Sequence, residues 1–304
     1  MTTKFIYILL FIFSINFQLY SQCGCMSSIS SGLLSPTTIN QAGTLREGFA
    51  LVNFLTNYTT GSKEYSSTRI VPNSTVREFW NATNSFSFSY GITKKLTGTI
   101  GLNYVLENNI ETFIFNYSSK GWNSIQLGTK YNILFDPKEN YEITALADFS
   151  LPLQSVKDTT YLYLQPTTGA VAASMGLFYH KGFSKVEIDM FAFWSSTFWS
   201  NNGANYHFGS LHQITIGISK PIFKILSAGL LINFAYKDKD NLNKHTQINS
   251  GYKQLSLSPQ ATIHSNHLSI GLSIDIPIYK EYFGSQITKD FSTSLNLQYR
   301  IDTN

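Results

Sequence analysis

The sequence lacks the signals by which several large classes of protein are recognised. Past residue 20 no apolar run approaches the ~20 residues that a membrane-spanning helix needs, which excludes a helical membrane protein. Charged residues make up only 13% of the chain, and its 22 basic and 18 acidic residues are scattered singly. Such a distribution provides no basic stripe for nucleic acid, so no nucleic-acid partner is expected.

A catalytic motif of fixed spacing is also missing. The stretch His264–His267 contains two histidines and a serine, but it is predicted to be a tight periplasmic turn. A nucleophile there would have neither a cleft nor oriented partners. His207 and Ser210, near a predicted outer loop, form a weaker candidate pair. We therefore expect that the protein is not an enzyme.

The overall composition favours a membrane β-barrel. Hydrophobic residues make up 43% and aromatic residues 15% of the chain, which does not fit a disordered protein. The mean hydropathy is nevertheless only −0.06. A membrane β-barrel gives such an intermediate value, because only half of the side chains of each strand face lipid.

One stretch shows the underlying pattern most clearly. In Leu268–Ile278 every even position is a large aliphatic residue, whereas the odd positions are small, polar or proline. Side chains alternate between the two faces of a strand, so this segment has one apolar face and one polar face. A strand of a soluble sandwich could alternate in the same way. The number of repeats and the connections between them must therefore decide.

The alternation recurs about twelve times from residue 47 onward, and the connections follow a rule. Tight turns near Lys94, Pro137, Gly182, Pro221 and Asn266 alternate with longer polar segments. Those segments are Thr59–Asn81, Glu107–Lys120, Gln154–Thr168, Ser200–Tyr206, Lys237–Gly251 and Lys280–Thr288. The sequence therefore predicts an all-β fold, a transmembrane antiparallel β-barrel of about 12 strands with short periplasmic turns and long extracellular loops.

The N-terminus predicts export to the outer membrane. Lys4 precedes the apolar run Phe5–Phe13, and Leu19–Ser21 provides a cleavage site before Gln22. This is the pattern of a secretory signal peptide, which is too short for a transmembrane anchor. We predict a signal peptide over residues 1–21, a periplasmic or plug segment over 22–46 and the outer-membrane barrel over 47–302.

Two prolines conflict with a closed barrel. Pro259 and Pro277 lie inside predicted strands, where proline removes a ladder hydrogen bond and is normally restricted to edges or bulges. A position at the rim for Pro277 and at a bulge for Pro259 would resolve the conflict. The alternative is a lateral opening near these strands, through which an apolar solute could leave. Unbroken backbone pairing would exclude that opening.

The polar register of the strands supplies a candidate lumen lining. Seven charged residues fall on it: Lys130, Glu142, Asp148, Glu187, Asp189, Asp275 and Arg300. Rings of charged side chains tune ion selectivity in pores, and five acids against two bases favour cations or neutral solutes. The alternative is that these residues merely pair with one another across a plugged lumen.

Cys23, Cys25 and Met26 form the short motif that is most suggestive of metal binding. Two thiols and a thioether are soft ligands suited to Cu(I), which makes these three residues the candidate metal ligands. They fall short of the usual four ligands, and no further His or Cys lies nearby. A role in terminal processing or anchoring is the alternative. We predict no bound cofactor.

Three features together resemble a known group of proteins. Cys23–Met26 lies just after the cleavage site, Leu45–Gly48 introduces the first strand, and the barrel is rich in Tyr, Ser and Asn. The chain is similar in these respects to outer-membrane barrels of Bacteroidota-type bacteria, including the phenol-degradation or transporter-like outer-membrane protein family. One departure is the C-terminus, because such barrels often finish on an aromatic residue, whereas here Tyr299 is not the last residue.

The resemblance implies a channel or solute-transport role. We therefore expect passive passage of small solutes, aromatic or apolar ones among them. The expected partners are outer-membrane lipid, the small-molecule solute and the barrel-assembly machinery. The alternative is a closed structural or surface-interaction barrel that acts through its extracellular loops.

Overall fold

The computed structural model describes residues 43–302 except 73, 115, 137 and 157–161. Regular structure in this part is antiparallel strand, with a short 3-10 helix at Leu162–Leu164. No helix among these residues is long and apolar enough to cross a membrane. The strands are β1 (Phe49–Gly61), β2 (Lys63–Ser67), β3 (Arg69–Ile70), β4 (Val76–Thr93), β5 (Leu96–Thr112), β6 (Asn116–Asp136), β7 (Tyr141–Pro152), β8 (Ala172–Phe183), β9 (Ile188–Trp199), β10 (Tyr206–His207), β11 (Leu211–Phe223), β12 (Leu226–Lys237), β13 (Asn241–Leu242), β14 (His245–Thr246), β15 (Tyr252–His264), β16 (Leu268–Thr288) and β17 (Phe291–Asp302).

Twelve of these strands close into a barrel. They are β1, β4 to β9, β11, β12 and β15 to β17, and each pairs antiparallel with the barrel strands that precede and follow it. The last strand returns to the first, with Phe49 opposite Asp302 and Thr60 opposite Phe291. A closed sheet has no edge strand, whose row of unpaired backbone groups would be costly in lipid. The predicted fold is confirmed.

The two faces of the wall differ as the alternation predicts. On β16, Leu272, Ile274 and Ile276 are exposed on the outside, whereas Ser273 and Asp275 are buried on the inside. A band of exposed apolar side chains continues around the barrel, as a lipid-facing surface requires. The inward face carries mainly small polar side chains, among them Asn53, Ser87, Ser89, Thr99, Asn103, Gln126, Ser195, Thr215, Gln260, Ser294, Asn296 and Gln298.

Short turns follow β4, β6, β8, β11 and β15 at one end of the barrel, which we call the periplasmic end. The long loops lie at the opposite, extracellular end, and they include residues 200–210 and 238–251. Two predicted loops are instead largely strand. β5 and β6 continue to pair as a hairpin, with Asn108 opposite Ser119. β16 runs on to Thr288. Polar sequence outside a membrane can still form a ladder, so polarity alone does not distinguish a loop from a strand extension.

The extracellular loops fold back over the barrel mouth. Strands β10, β13 and β14 form a separate three-stranded antiparallel sheet. Beneath it, buried side chains from loops and strand ends form a cluster, which we call the outer cluster: Val156, Leu162, Ala170, Ala172, Trp199, Tyr206, Phe208, Leu211, Tyr252 and Tyr282. The outer cluster joins these loop residues to β8, β9, β11, β15 and β16.

The N-terminal part of the chain is described only from Gly43. Residues 1–42 lie outside the described residues, and with them the predicted signal peptide, most of the predicted segment 22–46 and the candidate metal ligands Cys23, Cys25 and Met26. The barrel itself runs from Phe49 to Asp302, against a predicted range of 47–302.

Candidate pore and its lining

Five of the seven charged residues predicted for the lumen lie on the inward register of their strands: Lys130, Glu142, Asp148, Asp189 and Asp275. Of the other two, only Glu187 lies off the wall, whereas Arg300 is on β17, on the same register as the buried Asn296 and Gln298. Glu187 is exposed in the turn between β8 and β9, with a left-handed φ of 52°. Arg300 is exposed at the periplasmic rim, where its Nη2 donates to the carbonyl oxygen of Asn266 at 2.9 Å. Glu187 was therefore misplaced on a strand, because a polar register cannot show where a strand begins, whereas a lumen role for Arg300 stays a prediction.

Lys130 and Asp148 form a mixed-charge pair on the wall. Asp148 on β7 lies opposite Gly128 of β6, and Lys130 of β6 lies opposite Leu146, so the two charged residues are diagonal neighbours. Each acts electrostatically on the other, and Glu142 also acts on Lys130. This side of the lumen therefore combines a base with two acids.

Glu142 holds the chain that leads into the first strand. Its Oε1 accepts hydrogen bonds from the backbone N–H of Thr44 at 3.0 Å, from Asn132 Nδ2 at 2.9 Å and from Thr144 Oγ1 at 2.6 Å. The next backbone N–H, of Leu45, donates to Thr97 Oγ1 of β5 at 2.8 Å. Thr97 and Glu142 both face the lumen, so residues 44 and 45 lie inside the periplasmic mouth. The last residues of the predicted plug segment are thus within the barrel.

Asp275 is the centre of a buried polar network. It accepts hydrogen bonds from Ser258 Oγ at 2.6 Å and from Asn233 Nδ2 at 3.2 Å, and it forms an ion pair with Lys289. Lys289 lies between β16 and β17, so the ion pair ties the outer connection to the wall. Asp189 has a simpler environment, with His180 Nε2 at 3.0 Å from its Oδ1.

Sequence reasoning missed an apolar cluster inside the lumen, which we call the inner cluster. Its members are Leu146, Phe178, Phe191, Phe193 and Leu231, all no more than 5% exposed. They lie on β7, β8, β9 and β12, in the periplasmic half of each strand. The signal was present in Met190–Trp194, which is apolar on both faces, but such a run shows no alternation from which a lumen face could be assigned.

Two glycines make room for the inner cluster. A Cβ at Gly217 would lie 2.4 Å from Cε2 of Phe191 and 2.4 Å from Cδ2 of Leu231. A Cβ at Gly176 would lie 3.1 Å from Cε2 of Phe193. The rings therefore lie flat against glycine positions of the inner wall, where any side chain would displace them.

The backbone pairing of the wall has gaps at two places near the two prolines. Between β15 and β16 the paired residues pass from Leu257 to Gln260, so Ser258 and Pro259 have no ladder partner on β16. The hydrogen bond from Ser258 to Asp275 bridges that gap. The bulge between these strands falls at Ile278, next to Pro277, rather than at Pro259. Pro277 is well inside β16 rather than at its rim.

The second gap is not a break within a ladder, because β16 and β17 pair without a shift from Leu268 to Asp275 and β17 begins only at Phe291. β16 pairs with β17 only as far as Asp275, and beyond that point it pairs with β2 from Tyr282 to Thr288. A cavity of about 630 Å³ lies there, lined by Lys63, Tyr65, Thr68, Pro277, Ile278, Tyr279, Lys280 and Asp290. The wall is therefore not continuously paired, and the condition that would have excluded a lateral opening is not met.

No cluster of three or more His, Cys, Asp or Glu side chains that could hold a metal ion occurs in the described part of the chain. His264 contacts Ser269, with 3.2 Å between Nδ1 and Oγ, at the periplasmic end of β15.

No protein-family model matches the chain, and no curated protein sequence matches it. Among solved structures, the COG4313 outer membrane channel from Pseudomonas putida F1 superposes with a TM-score of 0.73 at 10% sequence identity, over 86% of this chain and 98% of that one. This chain shares with that channel the fold of a closed antiparallel β-barrel.

Two further solved structures superpose less well. The Pseudomonas putida toluene transporter TodX has a TM-score of 0.44 at 11% identity, over 90% of this chain and 93% of that one. The CymD monoaromatic hydrocarbon channel has a TM-score of 0.44 at 10% identity, over 92% of this chain and 98% of that one.

Proposed function

We propose that the protein is a passive outer-membrane channel for small solutes, with a preference for apolar or aromatic ones. The observation that carries the proposal is the inner cluster, a group of apolar side chains on the inward face of a wall that is otherwise polar, and we propose that it constricts the lumen. Hydrophobic constrictions hold back water and hydrated ions, whereas an apolar solute loses little on contact with them. The shared fold with an outer-membrane channel supports the same role.

The charged residues of the lumen would set a secondary preference for cations. Four inward acids, Glu142, Asp148, Asp189 and Asp275, face one inward base, Lys130. Asp275 is neutralised by Lys289, so the excess falls on the β7 to β9 side. We further propose that the chain is exported by its signal peptide and inserted by the barrel-assembly machinery.

We also propose a lateral exit for the solute through the polar cavity beside Pro277. Solute that enters the lumen from outside could leave sideways at the outer end of β17, where β16 extends past its partner. Lys63, Lys280 and Asp290 line that cavity, so it suits a solute with a polar group better than a pure hydrocarbon.

A second candidate function is supported by the outer cluster. Its side chains are buried and join the extracellular loops to the barrel strands, as expected of a closed barrel that acts through its loops. Conduction separates the two functions, because a closed barrel would insert into a bilayer without passing ions or solutes.

The test is conductance of the refolded protein in a planar lipid bilayer, together with solute flux into proteoliposomes. We expect discrete conductance steps with a cation bias, and faster flux of phenol than of glycerol. Phe193→Ala should raise the ion conductance and reduce the preference for phenol, because it widens the constriction. Asp148→Asn with Asp189→Asn should weaken the cation bias. Glu187→Gln, an exposed acid in a turn, is the matched control and should change neither property.

A protein that folds but stays electrically silent and passes neither solute would refute the channel. The closed interaction barrel would then be the better description, and the extracellular loops would carry the function.

A further inference from the structure

The small extracellular sheet of β10, β13 and β14, which we call the platform, is held in place by its turns. Leu242 pairs with His245 across a two-residue turn at Asn243 and Lys244, whose φ values of 51° and 68° are both left-handed. Such a turn matches the twist of a hairpin and favours Asn. Asn205 is also left-handed, with φ of 56°, and its carbonyl oxygen accepts a hydrogen bond from the Asn243 N–H at 3.2 Å. The two loops are therefore joined through their turns.

A buried carboxylate anchors this platform to the barrel. Asp240 is fully buried and accepts hydrogen bonds from Tyr206 Oη at 2.8 Å, from the backbone N–H of Gly209 at 2.7 Å and from Lys237 Nζ at 2.5 Å. Its own N–H donates to Ser250 Oγ at 2.9 Å. Because Tyr206 also belongs to the outer cluster, the platform cannot move without breaking a buried polar network.

The platform carries a polar cavity of about 680 Å³. Its described lining is Asn201, Asn205, His207, Asn241, Asn243 and Lys244. A carboxamide has one acceptor oxygen and two N–H donors, which suits the neighbouring hydroxyl groups of a sugar. The oxygen of Asn241 already accepts a hydrogen bond from Thr246 Oγ1 at 3.1 Å, so Asn241 would act on a sugar mainly as a donor. Lys244 and His207 are the basic groups, and no carboxylate occurs among the described lining residues, so an anionic group would meet no like charge there.

We propose that this cavity binds a saccharide that carries an acidic group. The carboxamides hold the sugar hydroxyls, and Lys244 pairs with the carboxylate or phosphate. The site lies on the extracellular loops, and the proposal does not rest on conduction through the lumen. Its occupant comes either from soluble oligosaccharide or from the lipopolysaccharide that surrounds an outer-membrane protein.

The test is titration calorimetry on the full-length protein in detergent micelles. Sialyllactose and trigalacturonate are the acidic probes, and lactose is the neutral probe. Both acidic probes should bind about two- to fivefold more tightly than lactose, the range expected of one exposed ion pair. That advantage should disappear at high salt. Equal affinity for acidic and neutral probes, or no binding of either acidic probe, would overturn the proposal.

Matched variants locate the site. Lys244→Asn keeps a residue that tolerates the left-handed turn, and it should lower the affinity for the acidic probes to that for lactose. Asn241→Leu should weaken binding of all probes. Lys185→Asn, in the exposed turn between β8 and β9 at the periplasmic end, should leave binding unchanged. Wild-type affinity in Lys244→Asn would overturn the assignment, and thermal unfolding checks that each variant is folded.

The two sources are separated by competition. Displacement of sialyllactose by phosphorylated core oligosaccharide from purified lipopolysaccharide would assign the site to a neighbouring lipid. A failure of that oligosaccharide to compete, with binding of the free acidic probes retained, would assign it to soluble saccharide.

Discussion

Gly217→Ala tests how the inner cluster is seated. A Cβ at this position would come 2.4 Å from Cε2 of Phe191 and 2.4 Å from Cδ2 of Leu231. Non-bonded carbon atoms rest about 3.5 Å or more apart, so each side chain must retreat by about 1 Å. The barrel wall closes off the outward direction. The ring of Phe191 should therefore move toward the lumen axis.

Two effects should follow from that displacement. Overpacking of a well-packed apolar cluster typically costs about 1–3 kcal/mol, so Gly217→Ala should lower the free energy of unfolding by an amount in that range. The same movement narrows the constriction, so the single-channel conductance should fall. Unfolding in urea, followed by tryptophan fluorescence, measures the first effect, and the planar bilayer measures the second.

Gly101→Ala is the matched control. Gly101 also faces the lumen, but the atoms nearest to an added Cβ are at 3.4, 3.5 and 3.6 Å, which is ordinary contact. We expect little change in either property for this variant. If Gly217→Ala behaves like Gly101→Ala in both assays, the glycine does not seat the ring and the description of the inner cluster is wrong.

Two further variants test the polar contacts. Glu142→Ala removes the acceptor for the Thr44 N–H, and hydrogen exchange at Thr44 should become about tenfold faster or more, because a hydrogen bond to a charged group contributes about 1.5–3 kcal/mol. Unchanged exchange would show that Glu142 does not hold this segment. Asp275→Asn removes the charge that faces Lys289 and should lower the free energy of unfolding in urea by about 1–3 kcal/mol. Glu187→Gln is its control, and an equal effect of the two changes would contradict the importance of the ion pair.

The lipid-facing half of the barrel was the most predictable part. In Leu268–Ile278 the aliphatic residues must point toward lipid and the small polar ones away from it, because the period of a strand is two. The alternation of short and long connections followed because antiparallel strands place successive connections at opposite ends of the barrel, with short turns at one end and long loops at the other. Neither inference needed any knowledge of which residues touch across the lumen.

The lumen was less predictable, because its contacts join residues that are far apart in the chain. Phe191 meets Leu231 and the bare backbone of Gly217, and no local pattern marks that meeting. Glu187 stood on the polar register, yet it belongs to a turn. Bulges also shift the register by one residue, and the bulge at Ile278 beside Pro277 is an example. A count of residues along a single strand cannot locate such a bulge.

The extracellular loops show the same limit. Their polar sequence was consistent with solvated loops, but the structure buries Asp240 among three donors and builds a sheet over an aromatic cluster. A buried carboxylate is stable only when its partners are supplied together, and those partners come from strands and loops of different hairpins.

The sequence by itself determined that the chain forms a twelve-stranded barrel with one apolar face. Each side chain partitions between lipid and water separately, and the period of two places alternate residues on opposite faces of a strand. Only the tertiary structure decided what fills the lumen, where β16 leaves β17 and how the outer loops are fixed. Those features depend on packing and hydrogen bonds between distant residues, and such contacts exist only once the barrel has closed.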